Sequence, residues 1–179
     1  MRSTTTMPWV LLDRDGTIIV DQHYQKDPDQ TVLTPNAREG LDALRAAGCR
    51  LVLVTNQSGI ARGLLTEQDM HAVNTRMVEL LGGDAHYFAG VYWCPHGPDE
   101  DCACRKPRPG MALRAARELG FAPADAWVIG DSTRDAAMGR AAGMHTILLG
   151  QPAPDAADYA AADLLDAARR ILGSVNVKI

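Results

Sequence analysis

The sequence predicts an α/β fold, a doubly wound, Rossmann-like parallel sheet with helices on both faces. Short apolar runs typical of buried strands alternate with longer segments whose apolar residues recur at helical spacing. Hydrophobic residues make up 46% of the chain and charged residues 22%, a balance typical of globular proteins. A length of 179 residues suits one domain. We therefore expect a single domain spanning residues 1–179.

The strands are predicted from short apolar runs at residues 9–12, 51–54, 87–93, 126–129 and 144–149. The first helix is expected after Pro35, with Thr34 as its N-cap and Gly48 at its end. Thr66 begins a capping-box pattern before the second helix. Three more helices are predicted at residues 109–119, 133–142 and about 160–172, the last after a Pro/Ala/Asp linker.

Charge and hydropathy exclude several classes of function. The net charge of −4 argues against a nucleic-acid partner. No apolar run reaches the roughly 20 residues of a membrane helix, and residues 1–8 contain no apolar stretch typical of a secretory signal. We expect a cytoplasmic protein that does not bind membranes, and a monomer.

Candidate chemical residues stand where predicted strands end. Asp13 and Asp15 follow the first strand, Thr55 the second and Asp131 the fourth. Ligands of such sheets bind beyond the carboxyl ends of the strands. Mg²⁺ prefers oxygen ligands, and Asp13, the Asp15 carbonyl and Asp131 could supply them, with Asp135 holding metal-bound water. Taken alone, the Asp-x-Asp-Gly run is equally typical of a turn.

A second cluster consists of three cysteines and a histidine. Cys94, His96, Cys102 and Cys104 form a donor set that suits tetrahedral Zn²⁺. One alternative is a strained Cys102–Cys104 disulfide, and the other is a set of unbound buried cysteines, which would not account for His96. With four protein ligands the site would be structural, and the loop 94–104 would place the adjacent Arg105 and Lys106. Cys49 stands apart and is expected to be a buried apolar residue.

The order of these motifs resembles the haloacid-dehalogenase superfamily of phosphohydrolases. The resemblance implies that Asp13 attacks phosphorus and forms an aspartyl-phosphate. It implies that Asp15 protonates the leaving oxygen and then deprotonates the hydrolytic water. Thr55 and Asn56 would hold the phosphoryl group, and Lys106 would neutralise charge. The motifs are Asp13-x-Asp15-Gly16-Thr17, Thr55-Asn56, Lys106 and Gly130-Asp131-x-x-x-Asp135.

Segments 56–63, 94–96 and 104–111 carry a finer pattern. This pattern resembles the D-glycero-D-manno-heptose-1,7-bisphosphate 7-phosphatase family, whose members have a minimal cap and a zinc loop. The resemblance implies a small sugar-phosphate substrate, Mg²⁺ and Zn²⁺ as metals, and removal of the 7-phosphate. The substrate-binding residues it implies are Asp21, Gln22, His23, Tyr24, Thr55, Asn56, Gln57, Ser58, Arg105 and Lys106.

Some features leave alternatives open. His23 and Tyr24 could instead belong to a surface loop, and Arg62 could face the pocket or cap a turn. Ser132 stands where this family often has a lysine, and Arg134 is two residues further on. A histidinol-phosphate phosphatase or another small sugar-phosphate phosphatase is the nearest alternative. A non-catalytic, zinc-stabilised binding domain is the alternative of another class.

Overall fold

The computed structural model describes residues 7–150 and 155–176. Its strands are β1 (Trp9–Leu12), β2 (Arg50–Asn56), β3 (Gly90–Cys94), β4 (Ala126–Gly130), β5 (His145–Leu149) and β6 (Tyr159–Ala161). Its helices are α1 (Ala37–Ala46), α2 (Glu67–Leu80), α3 (Gly110–Leu119), α4 (Thr133–Ala142) and α5 (Leu164–Asn176). Two short 3-10 helices cover Pro28–Gln30 and Pro123–Asp125.

All six strands form one parallel sheet in the order β3-β2-β1-β4-β5-β6. Strand β1 lies between β2 and β4, and Leu12 is in register with Leu53 on one side and Ile129 on the other. The direction of winding reverses beside β1, and this is where such sheets open a crevice for ligands. The predicted doubly wound α/β class is confirmed.

Alternate residues of each strand face opposite sides of the sheet, and each side is covered by its own helices. Val10 and Leu12 pack in one core with apolar residues of α1, α2 and α5. Trp9 and Leu11 pack in the other core with residues of α3 and α4. Because β1 is buried on both faces, its sequence is continuously apolar rather than alternating. The core therefore fixes the position of the residue that follows β1.

The predicted final helix was wrong at its start. Residues 159–161 form the edge strand β6, paired with β5, and the helix begins only at Leu164. The alanine-rich sequence favours a helix locally, but pairing with the sheet edge overrides that propensity. The Asp163 carboxylate accepts a hydrogen bond from the Asp166 amide (2.9 Å), as a helix N-cap does. Part of the predicted linker falls on residues 151–154, outside the described residues.

Two other boundaries differ from the prediction. Helix α1 is preceded by Asn36, not Thr34, and the Asn36 amide reaches across to the Asp163 carboxylate (2.6 Å). The Thr34 hydroxyl instead donates to the Thr17 carbonyl (2.7 Å). The third strand begins at Gly90 rather than at Tyr87, whose amide donates to a turn carbonyl, that of Asp84. The first shift accompanies long-range contacts of Thr34 and Asn36, and the second a local turn at Tyr87.

The connections after β1 and β2 are short. Residues 13–36 contain only one 3-10 turn, and residues 57–66 contain no helix. Neither connection holds a separate cap domain, so the carboxyl ends of the central strands lie open. Among the described residues, no helix has both the length and the apolar character required to cross a bilayer.

Gly40 sets how closely α1 and α5 pack. A Cβ atom at this position would lie 2.5 Å from the Leu164 carbonyl carbon and oxygen, which are backbone atoms. Gly173, in α5, has open space around its own Cβ position. The two glycines thus share a helical conformation and differ in their surroundings.

We predict that Gly40→Ala lowers the melting temperature, although alanine is intrinsically the better helix former. Overpacking costs about 1–3 kcal/mol, and the upper part of this range applies because the Cβ atom meets backbone rather than a movable side chain. This cost outweighs the gain of about 1 kcal/mol in helix propensity. The matched Gly173→Ala variant should melt at the same temperature as wild type or slightly above. Thermal unfolding followed by circular dichroism measures both. A stabilised Gly40→Ala protein would contradict the close packing of the two helices.

Candidate active site

A cavity of about 330 Å³ opens beyond the carboxyl ends of β1, β2 and β4. Most of the predicted catalytic, metal and substrate-binding residues line it: Asp13, Asp15, Asp21, His23, Tyr24, Asn56, Gln57, Ser58, Arg105, Lys106 and Asp131. Residues 13 and 131 are brought together because β1 and β4 are neighbours in parallel register. The site is therefore a direct consequence of the strand order.

The centre of the site is a buried cation between two carboxylates. The Lys106 ammonium donates to Asp13 Oδ1 (2.7 Å), to Asp135 Oδ1 (2.6 Å) and to the Val54 carbonyl (3.2 Å). Burial alone would lower the pKa of Lys106, but the charges of Asp13 and Asp135 raise it above the ordinary lysine value. Lys106 thus stays protonated and joins the ends of β1 and β2 to the start of α4.

The single positive charge of Lys106 does not fully neutralise the Asp13 and Asp135 carboxylates. Burial, followed by the negative charge of Asp135, raises the pKa of Asp13 to about 7. Loss of surrounding water, followed again by Asp135, also raises the pKa of Asp131. An additional positive charge would lower both pKa values and favour the ionised forms. The electrostatics of the cavity therefore favour a bound cation.

The backbone of Lys106 is held by a single side chain. The Asn56 side-chain amide donates to the Lys106 carbonyl (3.2 Å), and its oxygen accepts from the Lys106 amide (3.0 Å). Asn56 ends β2, so the lysine is fixed directly to the sheet. This geometry gives Asn56 a positioning role in addition to its place in the cavity wall.

Asp15 is held away from the other carboxylates. Its carboxylate accepts from Arg14 Nε (3.1 Å) and from Gln57 Nε2 (2.9 Å). Arg14 is itself almost fully buried and donates to Asn74 of α2 (3.1 Å). We did not predict a role for Arg14, although a charged residue between two candidate carboxylates was a usable signal.

The acidic side chains that could hold a metal are Asp13, Asp131 and Asp135, each offering an oxygen within 4.8 Å of the others. Both Asp135 oxygens are already engaged, Oδ1 by Lys106 and Oδ2 by the Ser132 amide (3.1 Å). In the part of the chain that the structure describes, the side-chain hydrogen bond of Asp131 with another side chain is a long one, from the Thr17 hydroxyl (3.3 Å). The donor set with capacity for a hard cation is therefore Asp13 and Asp131, with Asp135 behind them.

Gly16 makes room for this arrangement. Its φ of +78° belongs to the left-handed region, and a Cβ atom there would collide with the Asp131 carboxylate. The Asp-x-Asp-Gly run is thus a turn, as one interpretation held, and it also contributes to the site. The glycine lets the backbone pass close to the carboxylate from β4.

The loop after β1 carries strained backbone at the cavity mouth. His23 and Tyr24 have φ values of 51° and 50°, which non-glycine residues rarely adopt. The Asp21 carboxylate accepts from the His23 amide (2.9 Å), and Arg62 lies over the Tyr24 ring at 5.7 Å. His23 and Tyr24 line the cavity, so they are more than a remote surface loop.

Two predicted substrate-binding residues lie outside the cavity wall. Gln22 is exposed, and its side chain donates to the Gln30 carbonyl of its own loop (2.8 Å). Thr55 is buried beneath the wall, where its hydroxyl accepts from Gln57 Nε2 (2.8 Å). The wall includes Gln25 and Gly59, which sequence reasoning missed because neither residue type signals chemistry.

The four residues predicted to bind zinc converge as a set. The sulfur of Cys94 lies 3.7 Å from that of Cys102 and 3.1 Å from that of Cys104. The His96 Nδ1 atom lies 3.5 Å from Cys94 Sγ and 3.3 Å from Cys104 Sγ. A tetrahedron with Zn–S bonds of about 2.3 Å has S–S edges of about 3.8 Å. All these cysteines are free, so the disulfide alternative is wrong.

The loop that carries this cluster leads directly into the active site. Cys94 ends β3, and its carbonyl accepts from the Gln57 amide (2.7 Å). The Arg105 guanidinium donates to the His96 carbonyl (3.1 Å). The cluster therefore fixes the segment from which Arg105 and Lys106 extend into the cavity.

The sheet topology and the carboxylate–lysine site define a hydrolase of the haloacid dehalogenase type. Residues 11–143 match the family described as haloacid dehalogenase-like hydrolase, and the chain belongs to this family.

Relatives of known name share most of the chain. The chain is 38% identical over 146 residues to D-glycero-beta-D-manno-heptose-1,7-bisphosphate 7-phosphatase of Pasteurella multocida, covering 78% of this chain and 79% of that protein. It is 37% identical over 174 residues to the enzyme of the same name from Vibrio cholerae, covering 92% and 94%.

A solved structure is similar to this chain over nearly its whole length and belongs to the same kind of enzyme as the two relatives. The D,D-heptose 1,7-bisphosphate phosphatase of B. bronchiseptica, solved with magnesium and phosphate, matches with a TM-score of 0.85 and 32% identity. The match covers 94% of this chain and 99% of that one. The resemblance inferred from the motifs is confirmed.

We predict that Lys106→Met strongly destabilises the protein in buffer without added Mg²⁺. Methionine has a similar length but leaves two buried carboxylates unpaired, at a cost of about 3–5 kcal/mol in free energy of unfolding near pH 8. Urea denaturation measures this cost. The exposed Lys26→Met variant serves as the control and should change little.

The pH dependence of this variant follows from the raised pKa of Asp13. The fold raises that pKa from 3.8 to about 7, so the folded state binds the extra proton and stability falls as pH rises through this interval. Without Lys106 the pKa rises further. The destabilisation should therefore shrink between pH 8 and pH 5, and a constant difference would contradict the assigned ion pair.

Proposed function

We propose that this protein is a Mg²⁺-dependent phosphatase that removes the 7-phosphate of D-glycero-β-D-manno-heptose 1,7-bisphosphate through an aspartyl-phosphate. The observation that carries the proposal is the Asp13 carboxylate, buried at the end of β1 and 2.7 Å from the Lys106 ammonium. A carboxylate held in this way is both oriented and open to the cavity. The relatives named above act on this substrate by name, and they align over most of the chain.

Asp13 is the proposed nucleophile. One of its oxygens attacks phosphorus, the bond from phosphorus to the sugar oxygen breaks, and the phosphoryl group is transferred to the carboxylate. Lys106 lies beside that carboxylate and offsets the negative charge that develops. Thr55 supports the wall from beneath through Gln57, and Ser58 and the backbone near Asn56 would surround the transferring group.

Asp15 is the proposed acid and base. It gives its proton to the departing sugar oxygen, and as a carboxylate it then takes a proton from the water that attacks the aspartyl-phosphate. That second attack releases inorganic phosphate and restores Asp13. The contacts of Asp15 with Arg14 and Gln57 keep its carboxylate oriented between the two steps.

Mg²⁺ would be held by Asp13, the Asp15 carbonyl and Asp131, and its charge would draw the phosphoryl group and the nucleophile together. Asp135 would orient bound water or the other ligands rather than coordinate directly, since both of its oxygens are engaged. The raised pKa values of Asp13 and Asp131 give an independent reason for a cation there.

The sugar would lie across the mouth of the cavity. Asp21, His23 and Tyr24 are the proposed contacts on one side and Arg105 on the other, where it faces the phosphate that does not react. Without a cap domain after β1 or β2, the substrate itself must fill much of the opening. This favours a substrate with a bulky sugar and a second charged group.

The proposed activity is tested by phosphate release from heptose 1,7-bisphosphate and from histidinol phosphate, side by side with Mg²⁺. We expect a strong preference for the heptose. Asp13→Asn should lower turnover by at least about 10³-fold because the amide is a poor nucleophile. The exposed Asp125→Asn variant is the matched control and should retain full activity.

Each outcome has a distinct meaning. Preference for histidinol phosphate would replace the proposed substrate and leave the phosphatase chemistry intact. Failure to hydrolyse either compound would favour a binding domain. Near-normal activity of Asp13→Asn would remove Asp13 as the nucleophile.

We also propose that Cys94, His96, Cys102 and Cys104 bind one structural Zn²⁺. Three thiolates and one imidazole fill a tetrahedral shell and leave no position for water or substrate. The sulfur and nitrogen separations, between 3.1 and 3.7 Å, are close to the edges of such a shell. The metal would stabilise a loop that has little regular secondary structure.

We predict about one Zn²⁺ per chain by elemental analysis of protein purified without chelators. Cys104→Ser should lose most of the metal and lower the melting temperature, because metal binding contributes to the folding of such loops. Cys49→Ser, which lies outside the cluster, should retain the metal. Metal-free wild-type protein, or unchanged metal content in Cys104→Ser, would reject this site.

A further inference from the structure

The cations around the active-site cavity divide into two groups. Arg14 and Lys106 are paired with buried or partly buried carboxylates. Arg105 and Arg134 also line the cavity, but neither makes an ion pair with another residue in the part of the chain that the structure describes. Guanidinium groups without a carboxylate partner, beside a pocket, are suited to bind an anion.

Arg134 lies on the boundary between this cavity and a neighbouring one of about 330 Å³. Arg105 also lines both cavities. Arg108 lines only the neighbouring cavity, and it is already paired with Asp101 (2.9 Å). The two unpaired guanidinium groups therefore share one rim of the site.

The location of Arg134 in its helix is electrostatically unfavourable. It is the second residue of α4, where the amide groups carry partial positive charge, and a cation there costs about 0.3–1 kcal/mol. Its local contacts are with the Ser132 hydroxyl, which accepts from the Arg134 amide (3.2 Å) and from its Nε atom (3.3 Å). Ser132 thus holds the base of the guanidinium and leaves the two terminal nitrogens available.

We propose that Arg134 is a specificity-determining residue that binds the non-reacting phosphate of a sugar bisphosphate together with Arg105. The inference rests on the proposed phosphatase function and adds a residue to it. The reacting phosphoryl group lies at the paired cation, Lys106. The second phosphate binds the two unpaired cations at the rim, where Arg134 presents its terminal nitrogens as a fork.

Arg134 acts on binding rather than on the chemical steps. Within the described parts of the chain it forms neither a hydrogen bond nor an ion pair with Asp13 or Asp15, and it donates no proton in the reaction. Its removal should therefore matter only for substrates that carry a second anionic group. A substrate with one phosphate has nothing to place at this rim.

The test compares kcat/KM for heptose 1,7-bisphosphate with kcat/KM for p-nitrophenyl phosphate, which carries a single phosphate. In Arg134→Ala, kcat/KM for the bisphosphate divided by kcat/KM for p-nitrophenyl phosphate should fall roughly 10- to 100-fold, the loss expected for one charge-assisted contact. Most of this change should be in KM for the bisphosphate. Arg134→Lys should recover part of the ratio, because it restores the charge without the fork. Arg117→Ala, an exposed arginine remote from both cavities, controls for net charge.

A purely structural role for Arg134 predicts a different result. Arg134→Ala should melt at or slightly above the wild-type temperature, because it removes an unfavourable charge from the start of α4. A lower melting temperature together with equal losses on both substrates would overturn the proposal. An unchanged ratio would overturn it as well.

The anion site can still be tested if heptose 1,7-bisphosphate is not the substrate. If wild type hydrolyses p-nitrophenyl phosphate but not heptose 1,7-bisphosphate, the proposed function fails. The bisphosphate is then used as a competitive inhibitor of p-nitrophenyl phosphate hydrolysis. The inhibition constant of the bisphosphate should be roughly 10- to 100-fold higher for Arg134→Ala than for wild type. Equal inhibition constants for the two proteins, or no inhibition of either, would reject the anion site.

Discussion

The Lys106 ammonium connects three parts of the fold, and two of them carry carboxylates that would otherwise repel each other. Asp13 follows β1 and Asp135 belongs to α4, and both carboxylates are buried close together. Without the lysine, the negative charge of Asp135 would raise the pKa of Asp13 further and favour its protonation. The lysine extends from the end of the loop 94–104 and stabilises both ionised groups, so the central strands, α4 and this loop depend on one ion-pair network.

Because the ion-pair network requires an exact position of Lys106, several hydrogen bonds hold the backbone around this residue. Asn56 holds the lysine backbone from β2, and the His96 carbonyl holds the neighbouring arginine. A buried charge tolerates little displacement, because a shift of an ångström would leave carboxylates without their partner. The proposed zinc site would therefore act on catalysis indirectly. It would fix the backbone position of Lys106 and would not contact the substrate.

The sequence predicted the parts of the structure that follow from short-range patterns. Buried strands, the helix ends at Gly120 and Gly143, and the capping box at Thr66 all depend on neighbouring residues, and the structure contains them. The edge strand β6 was missed because its alanines favour a helix and only the neighbouring strand makes them extended. The contact of Asn36 was beyond prediction for a similar reason, since its partner Asp163 lies 127 positions further along the chain.

Different cations in the active site balance the charge of the buried carboxylates and face the open cavity. A more enclosed enzyme could use the same cations for both. The paired Lys106 is buried and offsets the charge of the proposed nucleophile, Asp13, so it cannot move to bind different substrates. The arginines at the rim have no carboxylate partner among the described residues, and they remain available for an incoming anion. In a site with no cap domain after β1 or β2, selectivity has to come from charge fixed at the edge of the opening rather than from enclosure. Rim arginines with this geometry would discriminate between phosphates by the distance between two anionic groups, a property that an open cavity alone does not provide.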